Sequence, residues 1–504
     1  MRSMRAATLT ASLLAFTLAH AQTPPPPTFD IVEKDLGDLQ AALRDGRVTS
    51  VQLVDLYRAR IDRFDKAGPA LNAFITLNEK ARDEGASLDR ERQGGRTRGP
   101  LHGIPIVIKD NFATVDMPTT AGTLALEGFR ASRDAFQIKK LRDAGAIFMG
   151  KTNLHELAAG ITSVSSAGGQ TLNPYDRSRN PGGSSGGTAA AVAASFGAAG
   201  MGTDTCGSIR IPAAHNNLWG LRPTMGLSSR TGVVPLAHSQ DVAGPIARSV
   251  TDLALLLNAT VGVDPADSVT ETGRDHVPRS YLEFMGDSSL VNVSIGVVDS
   301  LMGRAPEDEE VRHIVSGAID TLEGMGAGTT DIDIDLESLL RDTSTIPLEF
   351  KFDLMDYLEA NRAPVRSLDE ILRWGLYRTE LDTNFRQRNA VQERDSPEYR
   401  NVLARRTAAT STVQGIMRAR GLTLLAYPTI RRKAEKIGLP QPGTNCQLSA
   451  TTGWPAISMP AGFTEDGLPV GLELLGPPFS EGTLLRVAYA YERLTQPRRA
   501  PRLP

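Results

Sequence analysis

The chain has 504 residues, of which 40% are hydrophobic and 22% are charged, and its formal net charge is -3. This composition is typical of a folded globular protein and excludes an intrinsically disordered chain. Because the chain is mildly acidic and lacks a run of basic residues, its charge gives no reason to expect nucleic acid as a partner.

The N-terminus has the order of segments found in a secretory signal. Two arginines precede the apolar residues 6–19, and a small-residue sequence ends at Ala21. We therefore expect residues 1–21 to be a signal peptide, residues 22–30 to be a proline-rich linker, and the mature protein to be periplasmic or extracellular. No later segment has the length and apolarity of a membrane span, so we expect no membrane anchor.

The first half of the mature sequence alternates helix and strand patterns. Residues 35–64 show helical spacing of apolar residues, broken near Gly46, and residues 104–108 are a β-branched run that ends at Lys109. A helix is predicted over residues 136–144, with a buried strand directly after it. This alternation predicts an α/β fold with a mixed central β-sheet sandwiched between helices.

The second half begins with longer charged helices and then returns to strands. Residues from about 270 to 421 read as a helical cover. Strand patterns resume afterwards, at residues 422–427, 456–459 and 470–475, followed by an amphipathic helix at 480–494. Since the core pattern resumes after the cover, we predict a single domain over residues 31–504.

Two short motifs point to other chemistries. Residues 145–152 match the phosphate-binding pattern GxxxxGK[ST], but their four variable positions are apolar and indicate a strand interior, so we predict no nucleotide site.

Residues 182–186 match GxSxG, the nucleophile turn of a Ser-His-Asp esterase centred on Ser184 or Ser185. The preceding loop is polar and contains two prolines where a strand is required, so this esterase is an alternative. Its histidine would come from His215, His238, His276 or His313.

A glycine-rich stretch at residues 180–212 suits acyl transfer better. Two Gly/Ser turns are joined by an alanine-rich helix, and glycine lets backbone amides and short hydroxyls approach a common point. With these turns, six segments resemble the amidase signature family in order. They are PLHGIPIVIKDN at 100–111, GKTNLHE at 150–156, NPGGSSGG at 180–187, GTDTCGSIRIP at 202–212, GLRPT at 220–224 and TGWPAISMPAG at 452–462.

The resemblance spans nearly the whole mature chain and implies a catalytic set of three residues. Ser208 is the implied nucleophile, Ser184 is a serine held by a cis peptide bond, and Lys109 is the base. A lysine acts as a base when its amine is neutral, which burial beside an apolar strand favours. A serine hydroxyl both donates and accepts, so Ser184 can relay a proton between the other two.

The turn before the nucleophile has further implied roles. The family uses successive backbone amides there as an oxyanion hole, here those of Thr205, Cys206, Gly207 and Ser208. We expect Asp204 and Arg210 to brace the turn as an ion pair.

The chain departs from the usual family pattern at Cys206, where glycine is common. The two cysteines are too few for a disulfide framework and lack the spacing of a zinc site. Because they coincide with an export signal, and Cys446 precedes a family-like segment expected near the site, we hypothesise a Cys206–Cys446 disulfide. We expect no metal and no cofactor.

The resemblance implies a serine hydrolase that cleaves a carboxamide to an acid and ammonia or an amine through an acyl-Ser208 intermediate, and the signal sequence predicts that it is secreted. Motifs at residues 349–352, 356–358 and 367–372 resemble the peptide-amidase branch, which suggests a C-terminal peptide amide or a small amide as substrate. We expect a monomer or homodimer. Candidate pocket residues in the cover are Phe350, Leu354, Tyr357 and Trp374.

Two further functions remain possible from the same motifs. A glutamine-hydrolysing component of a transamidation complex shares the family segments, but it would need cytoplasmic partners and tRNA, which the signal sequence disfavours. A catalytically inactive binding protein would be expected to have lost one of Lys109, Ser184 and Ser208, and all three are present.

Overall fold

The computed structural model describes residues 29–286 and 289–503. The predicted signal peptide and most of the predicted linker lie outside these residues. From Ile31 onward the chain forms one compact unit. Within the described residues, no helix is both long and apolar enough to cross a membrane.

Thirteen strands are assigned within the described residues. They are β1 (Phe74–Leu77), β2 (Pro105–Lys109), β3 (Ile147–Thr152), β4 (Val164–Ser165), β5 (Gly169–Gln170), β6 (Gly200–Asp204), β7 (Trp219–Arg222), β8 (Val242–Ala247), β9 (Ser294–Val298), β10 (Gly328–Ile332), β11 (Leu424–Pro428), β12 (Ala456–Phe463) and β13 (Pro469–Leu475). The order across the main sheet is β1-β3-β2-β6-β8-β7-β12-β13-β11-β9-β10, and β4 pairs with β5 separately.

Sixteen α-helices accompany these strands in the same residues. They are α1 (Leu36–Arg44), α2 (Ser50–Phe64), α3 (Ala81–Gln93), α4 (Phe136–Asp143), α5 (Gly186–Ala193), α6 (Arg210–His215), α7 (Val250–Thr260), α8 (Asp299–Met302), α9 (Glu309–Gly324), α10 (Leu336–Leu340), α11 (Ile346–Ala360), α12 (Leu368–Trp374), α13 (Asp382–Asn389), α14 (Pro397–Ala419), α15 (Gln447–Thr452) and α16 (Glu481–Thr495).

The main sheet is mixed, which confirms the predicted fold class. Strand β2 runs parallel to both β3 and β6, whereas β8, β7, β12 and β13 pair antiparallel in series. The carboxyl ends of β2, β3 and β6 therefore meet at one edge of the sheet, where α/β folds commonly bind ligands. Lys109 is the last residue of β2, and Asp204 is the last residue of β6.

Helix α5 lies closely against this part of the sheet because its residues are small. All eight of its residues are buried, and it packs against β2 and β6. A Cβ atom on Gly187 would lie 2.3 Å from the carbonyl oxygen of Asn153 and 2.6 Å from that of Ala73. Glycine is therefore needed for this approach, which brings the two Gly/Ser turns on either side of the helix to the same sheet edge.

The predicted helical cover differs from the structure in one respect. Helices α8 to α14 make up most of residues 270–421, but β9 and β10 lie within the same segment and extend the central sheet. Strand β10 is an edge strand with three exposed or half-exposed polar residues, so its sequence lacks the apolar alternation that marks a core strand.

Candidate active site

Lys109 occupies the centre of the site. Its side chain is fully buried, and its Nζ atom lies 2.7 Å from Ser184 Oγ and 2.7 Å from Thr203 Oγ1. Burial lowers the pKa of the Lys109 amine to about 7, and the carboxylates of Asp204 and Asp241 oppose this shift. A substantial neutral fraction near neutral pH allows this amine to accept a proton.

The Ser184 backbone is held firmly by its neighbours. The Gly183–Ser184 peptide bond is cis, and the Ser184 carbonyl accepts hydrogen bonds from the His155 amide at 3.0 Å and the Ser163 hydroxyl at 3.2 Å. A Cβ atom on Gly183 would lie 2.8 Å from the carbonyl carbon of Ile161. Only glycine fits before Ser184, so this turn has little freedom to move its hydroxyl.

Ser208 lies in the turn between β6 and α6, and its side chain is buried. The Ser208 carbonyl accepts a hydrogen bond of 3.1 Å from the amide of Ser185. This bond joins the two Gly/Ser turns directly. The sequence segments that carry Lys109, Ser184 and Ser208 therefore lie against one another.

Asp204 organises the Ser208 turn. Its carboxylate accepts hydrogen bonds from the amides of Gly207 at 2.7 Å and Ile209 at 3.1 Å, and it forms ion pairs with Arg210 at 3.0 Å and Arg222 at 3.1 Å. Burial opposes ionisation of Asp204, but the guanidinium groups of Arg210 and Arg222 hold its pKa well below the usual range. The Asp204 carboxylate therefore stays ionised at neutral pH and holds the turn through its hydrogen bonds to the backbone.

This network extends beyond the pair named from sequence. Arg210 also forms an ion pair with Glu473 on β13, which in turn accepts a hydrogen bond of 2.9 Å from the hydroxyl of Tyr427. Since all these side chains are buried, removing one charge would leave its partners uncompensated. The sequence analysis did not assign a role to Arg222, which lies within the quoted GLRPT segment, or to Glu473, which lies 263 residues after Arg210 along the chain.

The four amides proposed as oxyanion donors differ in their contacts. The Gly207 amide is already committed to Asp204. The amides of Thr205, Cys206 and Ser208 have no hydrogen-bond partner within residues 29–286 and 289–503. Three donors of the predicted four are therefore open to a ligand oxygen, while the fourth fixes the turn.

Cys206 and Cys446 are joined by a disulfide bond, with an S–S distance of 1.95 Å. Cys446 is the residue immediately before α15. The bond therefore connects the Ser208 turn to a helix that lies 240 residues later in the chain.

The four candidate pocket residues do not share one environment. Phe350 and Leu354 are fully buried, and the ring of Phe350 stacks on Phe385 at a centroid distance of 5.7 Å, which indicates packing within the cover. Trp374 is 51% exposed. Tyr357 lines a cavity of about 400 Å³ between α11 and the loop at residues 230–238.

The alternative esterase receives no support from the histidines. His215 Nε2 lies 3.3 Å from the Arg432 carbonyl, His238 Nδ1 lies 3.6 Å from Asp353, and the ring of His276 stacks on Phe479. In the part of the chain that the structure describes, none of the four downstream histidines is hydrogen-bonded to Ser184 or Ser185. The Ser185 hydroxyl donates instead to the Thr203 carbonyl at 3.2 Å.

Most of the phosphate-binding pattern lies in strand β3, which runs from Ile147 to Thr152, whereas the sequence predicted that the strand would end in a turn at Gly150. Lys151 lies within β3 and forms a buried ion pair of 3.0 Å with Asp110. Within the described residues, no group of three or more histidine, cysteine or acidic side chains is placed to hold a metal ion.

Three residues around the base, Thr203, Asn111 and Asp241, were not predicted from the sequence. The Thr203 hydroxyl accepts hydrogen bonds from Lys109 at 2.7 Å and from the side-chain amide of Asn111 at 3.0 Å. Asp241 accepts from the hydroxyl of Thr205 and from the amides of Leu236 and Ala237. Thr203 and Asn111 lie within recognised motifs, so the parallel pairing of β2 with β6 could have indicated their contact.

A model of the family described as Amidase matches residues 55–485. The chain belongs to the amidase family. It is an amide-hydrolysing enzyme with the fold of that family. The match confirms the family resemblance found in the sequence. The native peptide amidase of Stenotrophomonas maltophilia has a crystal structure that is 37% identical with a TM-score of 0.86, covering 95% of this chain and 100% of that one.

Curated amidase relatives include proteins with different roles. A probable amidase of Arabidopsis thaliana is 34% identical over 94% of this chain and 92% of its own length. A glutamyl-tRNA(Gln) amidotransferase subunit of Chloroflexus aurantiacus is 38% identical over 91% of this chain and 96% of its own length.

Proposed function

We propose that this amidase is an exported serine hydrolase that cleaves a C-terminal peptide amide or a small carboxamide through an acyl-Ser208 intermediate. Lys109 is the base and Ser184 relays the proton. The observation that carries the proposal is the buried Lys109 amine, which lies 2.7 Å from Ser184 Oγ and has its pKa lowered to about 7.

The reaction begins with proton transfer towards Lys109. Ser184 gives its hydroxyl proton to the neutral amine and takes the proton of Ser208, whose Oγ attacks the amide carbonyl carbon. The negative charge on the carbonyl oxygen is stabilised by the open amides of Thr205, Cys206 and Ser208.

Collapse of the tetrahedral intermediate breaks the C–N bond. The proton held by Lys109 returns through Ser184 to the leaving nitrogen, so ammonia or an amine departs as a neutral molecule. Water then adds to the acyl ester of Ser208 with the same proton acceptor, and the carboxylic acid is released.

Export is supported by two features of different kinds. Residues 1–21 have the charged, apolar and small-residue order of a secretory signal, and the Cys206–Cys446 bond suits an oxidising compartment. The measurement that checks export is the N-terminal residue of protein recovered from the periplasm or medium, which we expect to be Gln22.

The substrate class is supported by similarity to peptide amidase, at 37% identity over 95% of this chain. The amidotransferase subunits among the relatives make glutamine the competing substrate. A panel of amidated dipeptides, aliphatic and aryl amides and free glutamine separates these possibilities. We expect the amidated peptides or small amides to have the highest kcat/KM, and a preference for glutamine would favour the amidotransferase role.

A fluorophosphonate probe tests the nucleophile directly, because it phosphonylates an activated serine and reports its position. We expect one adduct per chain, on Ser208, with loss of amidase activity in proportion to labelling. Ser208→Ala should take up no label. Labelling of Ser185, or undiminished amidase activity in Ser208→Ala, would rule out the acyl-Ser208 mechanism.

The pH dependence of kcat/KM follows from the Lys109 amine. The base must be neutral, so we expect kcat/KM to rise with pH through about 7 and to fall about tenfold per pH unit below it. Nearby, burial lowers the pKa of His155 to about 4 and raises that of the Asp241 carboxyl. Because the Asp241 carboxylate raises the Lys109 pKa, an Asp241→Asn profile whose inflection moves to lower pH would assign it to Lys109. Loss of the inflection in Asp241→Asn, or a kcat/KM that rises towards acid, would contradict a lysine base.

A further inference from the structure

The Cys206–Cys446 bond lies within the proposed oxyanion site. Cys206 stands two residues before the nucleophile Ser208, and its own amide is one of the three open donors. The Cys446 Cβ atom is also 3.0 Å from the position that a Cβ on Gly207 would take. The disulfide therefore borders the turn at the residues whose backbone would contact a ligand oxygen.

In the part of the chain that the structure describes, the hydrogen bonds that anchor the turn lie on either side of Cys206, and Cys206 itself has one noncovalent contact, of its sulfur with Gln447 Oε1 at 3.5 Å. Before it, the Thr205 hydroxyl donates to Asp241, and after it the Gly207 amide donates to Asp204. Cys206 lies between these anchors, and its backbone amide has no partner within the described residues. The disulfide is therefore the strongest contact of Cys206 in the described residues, because the contact with Gln447 is long and a disulfide sulfur carries no proton to donate.

The other end of the bond is attached to a rigid part of the molecule. Cys446 is 7% exposed and precedes α15, whose residues Leu448 and Ser449 are fully buried. The side chain of the preceding residue, Asn445, donates to the carbonyls of Leu301 at 2.9 Å and Pro428 at 2.8 Å. A covalent bond to such a point limits how far the Cys206 amide can move.

We propose that the Cys206–Cys446 disulfide positions the oxyanion amides for catalysis, so that the oxidised enzyme is the fully active form. The two cysteines are positioning residues, because they act through the backbone of the turn and take no part in bond making. Oxyanion donors act on the charge that develops in the transition state, so their misplacement lowers kcat while leaving KM nearly unchanged. This inference rests on the proposed acyl-Ser208 mechanism.

Reduction by dithiothreitol tests the proposal on the wild-type enzyme. The reagent supplies two electrons and two protons, the S–S bond breaks to two thiols, and the reagent becomes its cyclic disulfide. Cys206 is only partly buried, which gives the reductant access. We expect kcat to fall about tenfold, less than the roughly 100-fold or greater loss on deleting a donor, with KM within about twofold. Reoxidation should restore kcat.

A variant without the bond provides the matched control. The double variant Cys206→Ala with Cys446→Ala should show the low kcat of the reduced enzyme and no response to dithiothreitol. A melting temperature measured in parallel reports the purely structural effect, which by itself would not change kcat well below the melting transition.

Two results would overturn the proposal. One is a reduced enzyme with two titratable thiols and a kcat within twofold of the oxidised form. The other is a double variant with the kcat of the oxidised wild type. Failure of the underlying mechanism would be seen separately, as amidase activity in Ser208→Ala whatever the response to reductant.

Discussion

Replacing Lys109 with methionine is expected to lower kcat about 10⁴-fold, at the upper end of the range for loss of a general base. Methionine has a similar length and fills the buried space, but it cannot accept a proton from Ser184. Lys109 has no salt bridge, and its Nζ contacts only the hydroxyls of Ser184 and Thr203 within the described residues. The substitution should therefore leave the fold intact, which circular dichroism can verify.

Lys151→Met is the matched control, since both lysines are fully buried and lie near the ends of neighbouring strands. Lys151 is paired with Asp110 at 3.0 Å, so its loss leaves a buried carboxylate unpaired and should cost about 3–5 kcal/mol of unfolding free energy. We expect kcat of Lys151→Met to stay near the wild-type value when active sites are counted by fluorophosphonate labelling of Ser208. Wild-type kcat in Lys109→Met would remove Lys109 from the mechanism.

The second large effect is expected at the paired serines 184 and 185. Ser184→Ala removes the hydroxyl that contacts Lys109, and kcat should fall about 10³-fold because the proton loses its path to Ser208. Ser185→Ala removes a hydroxyl that donates to the Thr203 carbonyl and should cost about 1 kcal/mol of stability, with kcat little changed.

Steady-state kinetics on both variants measures the change in kcat, and chemical denaturation measures the change in unfolding free energy. Together they show which of the two serines relays the proton. An esterase centred on Ser185 would show the reverse order, with the greater loss of kcat in Ser185→Ala. Equal losses of kcat in the two variants would indicate that both hydroxyls are needed for the shape of the turn. Ser184 would then not be the residue that relays the proton.

The sequence predicted the parts of the site that depend on local pattern. The apolar run before Lys109 indicated a buried strand, and the glycines around Ser184 and Ser208 indicated turns where backbone comes close. The α/β fold followed from the alternation of helix and strand patterns, since each pattern reflects which faces must be buried.

The parts that sequence did not predict depend on contacts between distant segments. Glu473 meets Arg210 because helix α6, which begins at Arg210, packs against β13. Strand β10 pairs through its backbone at the sheet edge, where polar side chains are tolerated, so its residues carry no core pattern. Phe350 was a pocket candidate, but nothing in helical spacing distinguishes a side chain facing a cavity from one stacked on Phe385.

The buried ion pair between Arg210 and Glu473 has a consequence for how the chain reaches its working state. The turn that carries Ser208 lies in the first half of the chain, whereas the second carboxylate that compensates the charge of Arg210 comes from β13, near the C-terminus. Within the described residues, the Arg210 guanidinium has two buried carboxylate partners, Asp204 and Glu473. An N-terminal fragment that ends before β13 would have to bury this guanidinium with Asp204 alone. The nucleophile turn is therefore completed only when nearly all of the polypeptide is available, and assembly of the active centre coincides with closure of the whole sheet.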